Sequence, residues 1–298
     1  MIYSKKALPI PDQIRKLKER GLTIEDETRA ASYLSNISYY RLRAYTYPFQ
    51  DNDNPNHPFT ARISLDEIIG LYVFDRRLRL LVLNAIEKIE VSIRTQIIYH
   101  WAMKYGSHWH LDDTLYRNQI LFRKDITRLQ EEINRSSETF IDHYKSKYCN
   151  PPDPPSWMSL EVSGFGLLST IFKNLKQGVE KKTVTRYYGI FDIGVMENWM
   201  HSFSNLRNIC AHHSRLWNRR LTAHIKLPTR TKNVFIQDLN IYPYKLYAAL
   251  CCMKYVLDII SPGHSFSSKL KDLMHDCPLA QEKEMGFPHT WHTEKFWQ

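Results

Sequence analysis

The sequence predicts a mainly α protein, a helical bundle, from three observations. Leu78, Leu81, Val82, Ala85, Ile86, Ile89, Ile93 and Ile97 recur at helical spacing inside residues 64–105, so one long helix buries one stripe. Two more stretches, 195–214 and 241–260, carry helical apolar patterns that can pack on it. Glycine is scarce, 10 of 298 residues, while aromatics make up 13%; long helices fit that balance better than a turn-rich all-β chain.

From the N-terminus, Asp12 to Arg20 reads as a short basic helix ended by Gly21. Thr23 then caps the next helix, with Asp26 at the reciprocal capping position. In "YLSNISYYRLRAYTYPF" (33–49) tyrosines alternate with arginines until Pro48 closes the segment, and "DNDNPNHPFT" is a polar loop. Ser64 opens the long helix, with a break expected near Gly70. Helical patterns follow over 117–148. "NPPDPPS" (150–156) is either a domain linker or a rigid loop inside one helical body. Beyond it come a helical pair broken by glycine ("WMSLEVSGFGLLSTIFKNL"), a short basic helix ("VEKKTVTRYYG"), an irregular or strand-like stretch at 225–236, and a last helix at 266–275. The expected organisation is an N-terminal basic helical segment (1–62), a helical core (63–262) and a C-terminal extension (263–298).

The formal charge of +10 favours a polyanionic partner, most often nucleic acid. Five cysteines, an odd number with no C-x-x-C pair, argue against a disulfide framework or zinc ribbon and for a reducing cytoplasm. No apolar signal-peptide core opens the chain, and "YKLYAALCCMKYVLDIIS", cut by Lys245, Lys254 and Asp258, is too amphipathic to span a bilayer. A soluble cytoplasmic protein without a membrane anchor is expected.

"FSNLRNICAHHSRLWNRRL" (203–221) is the most informative stretch. On a helical wheel Trp199, Phe203, Leu206, Cys210 and Trp217 fall in one apolar arc; His201, Asn205, Asn208, His212 and Arg215 fall nearly opposite, with Arg207 at the border. A merely solvated stripe would be richer in Glu and Lys. Asn208 and His212 are one turn apart and can touch. Arg207 offers a planar fork for phosphate, and a histidine trades protons near neutral pH. Together they are the parts needed to cleave RNA without a metal: proton transfer as a 2′-hydroxyl attacks phosphorus, charge stabilisation, and orientation by the asparagine. The same residues also read as a helix face satisfied by its neighbours.

Four blocks in order resemble one known family: "YLSNISYYRLRAYTYPF", "LYVFDRRLRLLVLNAIEKIEVSIRTQI", "PPSWMSLEVSGFGLLS" and "LRNICAHHSRLWNR". They resemble the abortive-infection (Abi-like, AbiD/AbiF) proteins of bacterial phage defence, a family placed in the HEPN superfamily. The HEPN motif is an arginine, commonly followed by a polar residue, with a histidine a few residues on. Arg207, Asn208 and His212 match it. The resemblance implies a HEPN-type helical bundle with extra N- and C-terminal helices, a homodimer whose two motifs line one cleft, and a metal-independent endoribonuclease with no cofactor. It also implies a bound small non-coding RNA beside any substrate RNA. A dimeric cleft suits the wheel, on which Arg207 and His212 diverge. The alternative is a non-catalytic RNA-binding protein that forms a ribonucleoprotein with a structured RNA.

His213, on the apolar side of the wheel, reads as structural. Arg215, Asn218, Arg219 and Arg220 suit backbone phosphate contacts or are plain surface charge. Arg41 and Arg43, among Tyr39, Tyr40, Tyr45 and Tyr47, suit RNA binding, although most of these tyrosines are expected to pack inside. Two basic patches can track RNA: Lys5, Lys6, Arg15, Lys16, Lys18 and Arg20, and Lys173, Lys176, Lys181, Lys182 and Arg186. Arg94 and His100 repeat the arginine–histidine spacing, but Glu90 one turn before Arg94 suggests a helix ion pair. "SHWHLDD" (His108, His110, Asp112, Asp113) reads as a polar turn rather than a metal site, and "SGFG" lacks the third glycine of a nucleotide-binding loop.

Overall fold

A computed structural model describes residues 6–298. The protein is mainly α, as its sequence predicts. Twelve α-helices run along the described residues: α1 Ile10–Glu19, α2 Glu27–Ile37, α3 Tyr39–Thr46, α4 Leu65–Tyr105, α5 Gln119–Arg135, α6 Thr139–Lys147, α7 Ser156–Ser159, α8 Phe165–Asn174, α9 Val179–Tyr187, α10 Ile193–Ala211, α11 Leu246–Ile260 and α12 Phe266–His275. Two short strands, β1 (Leu22–Thr23) and β2 (Ile63–Ser64), pair in parallel with Leu22 opposite Ile63. No helix of the described residues is long and apolar enough to cross a membrane.

The chain divides into two compact units. One holds the described residues up to Leu78 with Asp272–Gln281; the other holds Arg79–Lys271 and Glu282–Gln298. In the first, α1 packs on α2 and α2 on α3. Gly21, at φ 97°, turns the chain out of α1 as expected. The cap of α2 is Asp26, whose carboxylate accepts from the Arg29 N–H at 2.9 Å. Thr23 is occupied in β1 instead, a pairing with β2 that no local signal announces. Tyr45 is buried and donates to Asp75 at 2.7 Å.

Helix α4 opens with a capping box: the Glu67 N–H donates to Ser64 Oγ at 3.2 Å, and the Ser64 N–H donates to Glu67 Oε2 at 2.8 Å. The Ser64 N–H and the Ser64 hydroxyl, each donating to Glu67 Oε2 at 2.8 Å, hold the Glu67 carboxyl below its ordinary pKa. The helix runs unbroken through Gly70, which is exposed, so its flexibility is not needed and no break forms. The expected stripe is buried from Leu78 to Ile97, apart from half-exposed Leu81.

In the second unit α10 packs on α8, α9 and α11. Trp199, Phe203, Leu206 and Cys210 are buried, each large side chain contributing roughly 1.5–3 kcal/mol. Gly166 permits the approach of α8 to α10, since a Cβ there would sit 3.2 Å from Ser204 Oγ. Gly164 starts α8, and its N–H donates to Glu132 at 2.9 Å. The "SGFG" glycines are thus packing and turn residues. Helix α11 begins at Leu246, later than its apolar pattern suggested, and is buried on every side up to Leu257. All five cysteines are free thiols.

Candidate functional site

Helix α10 ends at Ala211, three residues earlier than its pattern suggests. His212 is the cap residue, His213 follows at φ 55°, and two backbone bonds close the end. The His213 N–H donates to the Cys210 carbonyl and the Ser214 N–H to the Ile209 carbonyl, each at 3.0 Å. That pair of bonds is a Schellman motif, with histidine where glycine is usual. His213 is therefore structural through its backbone, but its ring is exposed and not on an apolar side. The helical wheel does not extend to Arg215 and Trp217, which lie past this turn; Trp217 is buried all the same.

Arg207, Asn208 and His212 are all exposed. Among the described residues, none of the three side chains has a hydrogen-bond or ion-pair partner. The His212 N–H donates to the Asn208 carbonyl at 3.0 Å, which keeps the two residues one helical turn apart.

Arg207 lines a groove of about 530 Å³ with α4 residues Leu80, Leu83, Asn84, Glu87, Glu90, Val91 and Arg94. His212 is not among the lining residues, so within one chain this groove gathers the arginine but not the histidine. Leu80 and Val91 are about half exposed on its walls. The two guanidinium groups there differ sharply. Arg94 is buried, 2.6 Å from Glu90, and donates to the Ser163 carbonyl at 3.0 Å. Both of these bonds come from Nη2 and serve structure, tying α4 to the turn before α8. Arg207 keeps its fork available for an anion. Sequence reasoning missed Asn84, Glu87 and the exposed Leu80 and Val91. They were legible as the α4 face beside the buried stripe, where apolar residues have no core to fill.

The flanking cations separate in the same way. Arg220 lies over the Tyr244 ring at 4.0 Å and stays exposed. Arg219 donates to the Arg215 carbonyl at 3.2 Å, and Asn218 adopts φ 51°. Lys182, Lys173, Lys176 and Arg186 are exposed. Lys181 is a correction: it is fully buried, donates to the Lys173 and Leu175 carbonyls, and pairs with Glu197 at 2.7 Å. Burial pushes its ammonium pKa down to about 8, opposed by Glu197. A buried lysine cannot meet RNA.

The other tested spots are structural. His110 is buried in a short turn, and Asp112 caps the next by accepting from the Thr114 N–H at 2.9 Å. Among the described residues no group of His, Cys, Asp and Glu could hold a metal ion. In the N-terminal patch Arg15 pairs with Asp12 at 2.8 Å and Lys18 pairs with Glu27. Lys6, Lys16 and Arg20 line a second pocket with Tyr39, Tyr40 and Arg43, while Lys5 lies outside the described residues. Arg41 does not line it. Of the four tyrosines only Tyr45 packs fully inside; Tyr40 and Tyr47 are exposed.

The family model for Abi-like proteins matches residues 32–218, a span that holds α10 and its polar end. The chain belongs to the Abi-like family. It is thereby an abortive-infection type of protein, of the kind that serves phage defence. No curated protein and no solved structure gives a match. The match ends at Asn218, so the Abi-like region includes Arg207, Asn208, His212 and Arg215, and stops before Arg219 and Arg220.

Proposed function

We propose that this Abi-like chain is a metal-independent endoribonuclease of HEPN type, with residues 63–262 as its catalytic body and a bound small RNA as its regulator. One observation carries the reading: Arg207, Asn208 and His212 stand exposed and unpartnered, among the described residues, at the end of a helix whose opposite face is wholly core. Polar side chains that do nothing for the fold are available for chemistry. Arg207 binds the scissile phosphate and stabilises the charge that builds as the 2′-hydroxyl attacks. His212 moves the proton. Asn208 orients its neighbour or the strand. Arg215, Asn218, Arg219, Arg220, Arg41, Arg43 and Lys182 contact the RNA backbone.

A homodimer completes the site. The groove beside Arg207 carries exposed Leu80 and Val91, and a second copy laid there covers them and supplies the partner motif. The test is His212→Ala in the full chain. Wild type is expected to be toxic on expression and to leave 2′,3′-cyclic phosphate ends on cleaved RNA, with EDTA without effect; the variant is expected to fold normally and do neither. Cleavage by the variant, or cleavage abolished by EDTA, overturns the mechanism. A chain that co-purifies with one homogeneous RNA yet cleaves nothing in any state is a ribonucleoprotein instead.

A further inference from the structure

The pocket in the N-terminal unit has a ligand chemistry of its own. It encloses about 640 Å³, the size of a small-ligand site, between α1, α3 and the loop before β2. Lys6, Lys16, Arg20 and Arg43 line it, and no acidic residue does. Four cations around one concavity repel each other unless an anion joins them. Neighbours hold two of them: Arg20 donates to the Tyr39 hydroxyl at 2.8 Å, and Arg43 lies 3.4 Å from a His57 ring nitrogen.

Two more observations narrow the anion to one that carries a base. Tyr40 lines the same pocket yet is 86% exposed, a large ring that the fold does not use. Gln13 spends its amide N–H on the Leu8 carbonyl at 2.8 Å, and its buried carbonyl oxygen has no partner among the described residues. A hydroxyl or amino donor on the ligand would satisfy it.

We infer that this pocket holds one unstacked nucleotide of a single-stranded RNA, its base on Tyr40 and its phosphate among Lys16, Arg20 and Arg43. Stacking on an aromatic ring with cations along the backbone is how single strands are gripped without reading their sequence. The site lies in a different unit from Arg207 and His212 and does not depend on the proposed cleavage chemistry.

The test uses the full-length His212→Ala chain, which leaves the probe intact, and a fluorescein-labelled oligouridylate about eight nucleotides long read by anisotropy. Tyr40→Ala is expected to weaken binding about tenfold, and Tyr40→Trp to restore it. Because Tyr40 is 86% exposed, neither change disturbs folding. Lys16→Ala is expected to lower the salt dependence of binding by about one phosphate contact, roughly 0.7 in the logarithmic slope. An abasic strand of equal charge is expected to bind Tyr40 and Tyr40→Ala chains alike. Three results overturn the inference: Tyr40→Ala binding within twofold of the parent, an abasic strand or polyglutamate binding as tightly as the RNA, or free AMP binding as tightly as the strand in a Tyr40-dependent way. The last would make this a mononucleotide site.

Discussion

Arg94 and Arg207 offer a crossed test, because both sit in an arginine–histidine spacing and both line the same groove. The Arg94 side chain is 8% exposed and that of Glu90 16%. Arg94→Ala leaves the Glu90 carboxylate without its partner 2.6 Å away and strips the Ser163 carbonyl of a donor at 3.0 Å. Breaking one side of such a pair costs about 3–5 kcal/mol. In a unit of this size that lowers the melting temperature by about 10 °C. Arg207→Ala removes an exposed side chain and changes stability by less than about 0.5 kcal/mol. Cleavage should respond the other way. Losing a donor to the transition-state phosphate costs roughly 10²–10³ in rate, while the folded fraction of Arg94→Ala keeps its chemistry. Guanidinium unfolding with a single-turnover cleavage assay on the same preparations reads both axes. An Arg94→Ala chain that is fully stable but inactive, or an Arg207→Ala chain that still cleaves, refutes the assignment.

Three other outcomes follow from particular side chains. Lys181→Met should destabilise the fold by about 3 kcal/mol, by stripping two carbonyls of their donor and leaving Glu197 with only its longer ion pair to Arg117 at 3.5 Å, whereas Lys182→Glu should leave stability unchanged and weaken RNA binding; equal effects in denaturation and filter binding would contradict this. His110 is buried with both ring nitrogens unpartnered among the described residues, and burial, then the charge of His108, pushes its pKa from 6.5 to about 3. The unfolded chain therefore takes up a proton below pH 6.5 that the folded chain refuses. The contribution of His110 is complete above pH 6.5 and drains away toward pH 3, by up to about 5 kcal/mol. His110→Leu should flatten that window in urea titrations run at several pH values, and an unchanged slope would refute the burial argument. Gly70→Ala should stabilise by about 0.5–1 kcal/mol, because Gly70 is exposed inside a continuous helix and an added Cβ meets nothing within 4 Å; a lower urea midpoint would mean the helix does break there.

The sequence by itself determined the helices and their inward faces. The α4 stripe and the Trp199, Phe203, Leu206, Cys210 face of α10 are written in the 3.6-residue period, which depends only on neighbours along the chain. The polar end of α10 and the resemblance it carries were legible for the same reason. Tertiary structure alone decided which of several identical residue types is free. The Glu90 ion pair of Arg94 was legible one turn away along the helix, but the Ser163 carbonyl that also holds this arginine, and its burial, appear only in the fold. Lys181 and Lys182 are adjacent in sequence, but Glu197 from another helix draws only the first inside. Tyr40 and Tyr45 share a helix; Asp75, thirty residues on, takes the Tyr45 hydroxyl, and Tyr40 is left at a pocket that α1 and a distant loop complete. The stop of α10 was hidden as well, since the left-handed residue that ends it is His213 rather than glycine. Periodicity tells which face of a helix is apolar. Which polar side chain is spent and which is left over depends on partners brought from far along the chain, and that is settled only when the chain has folded.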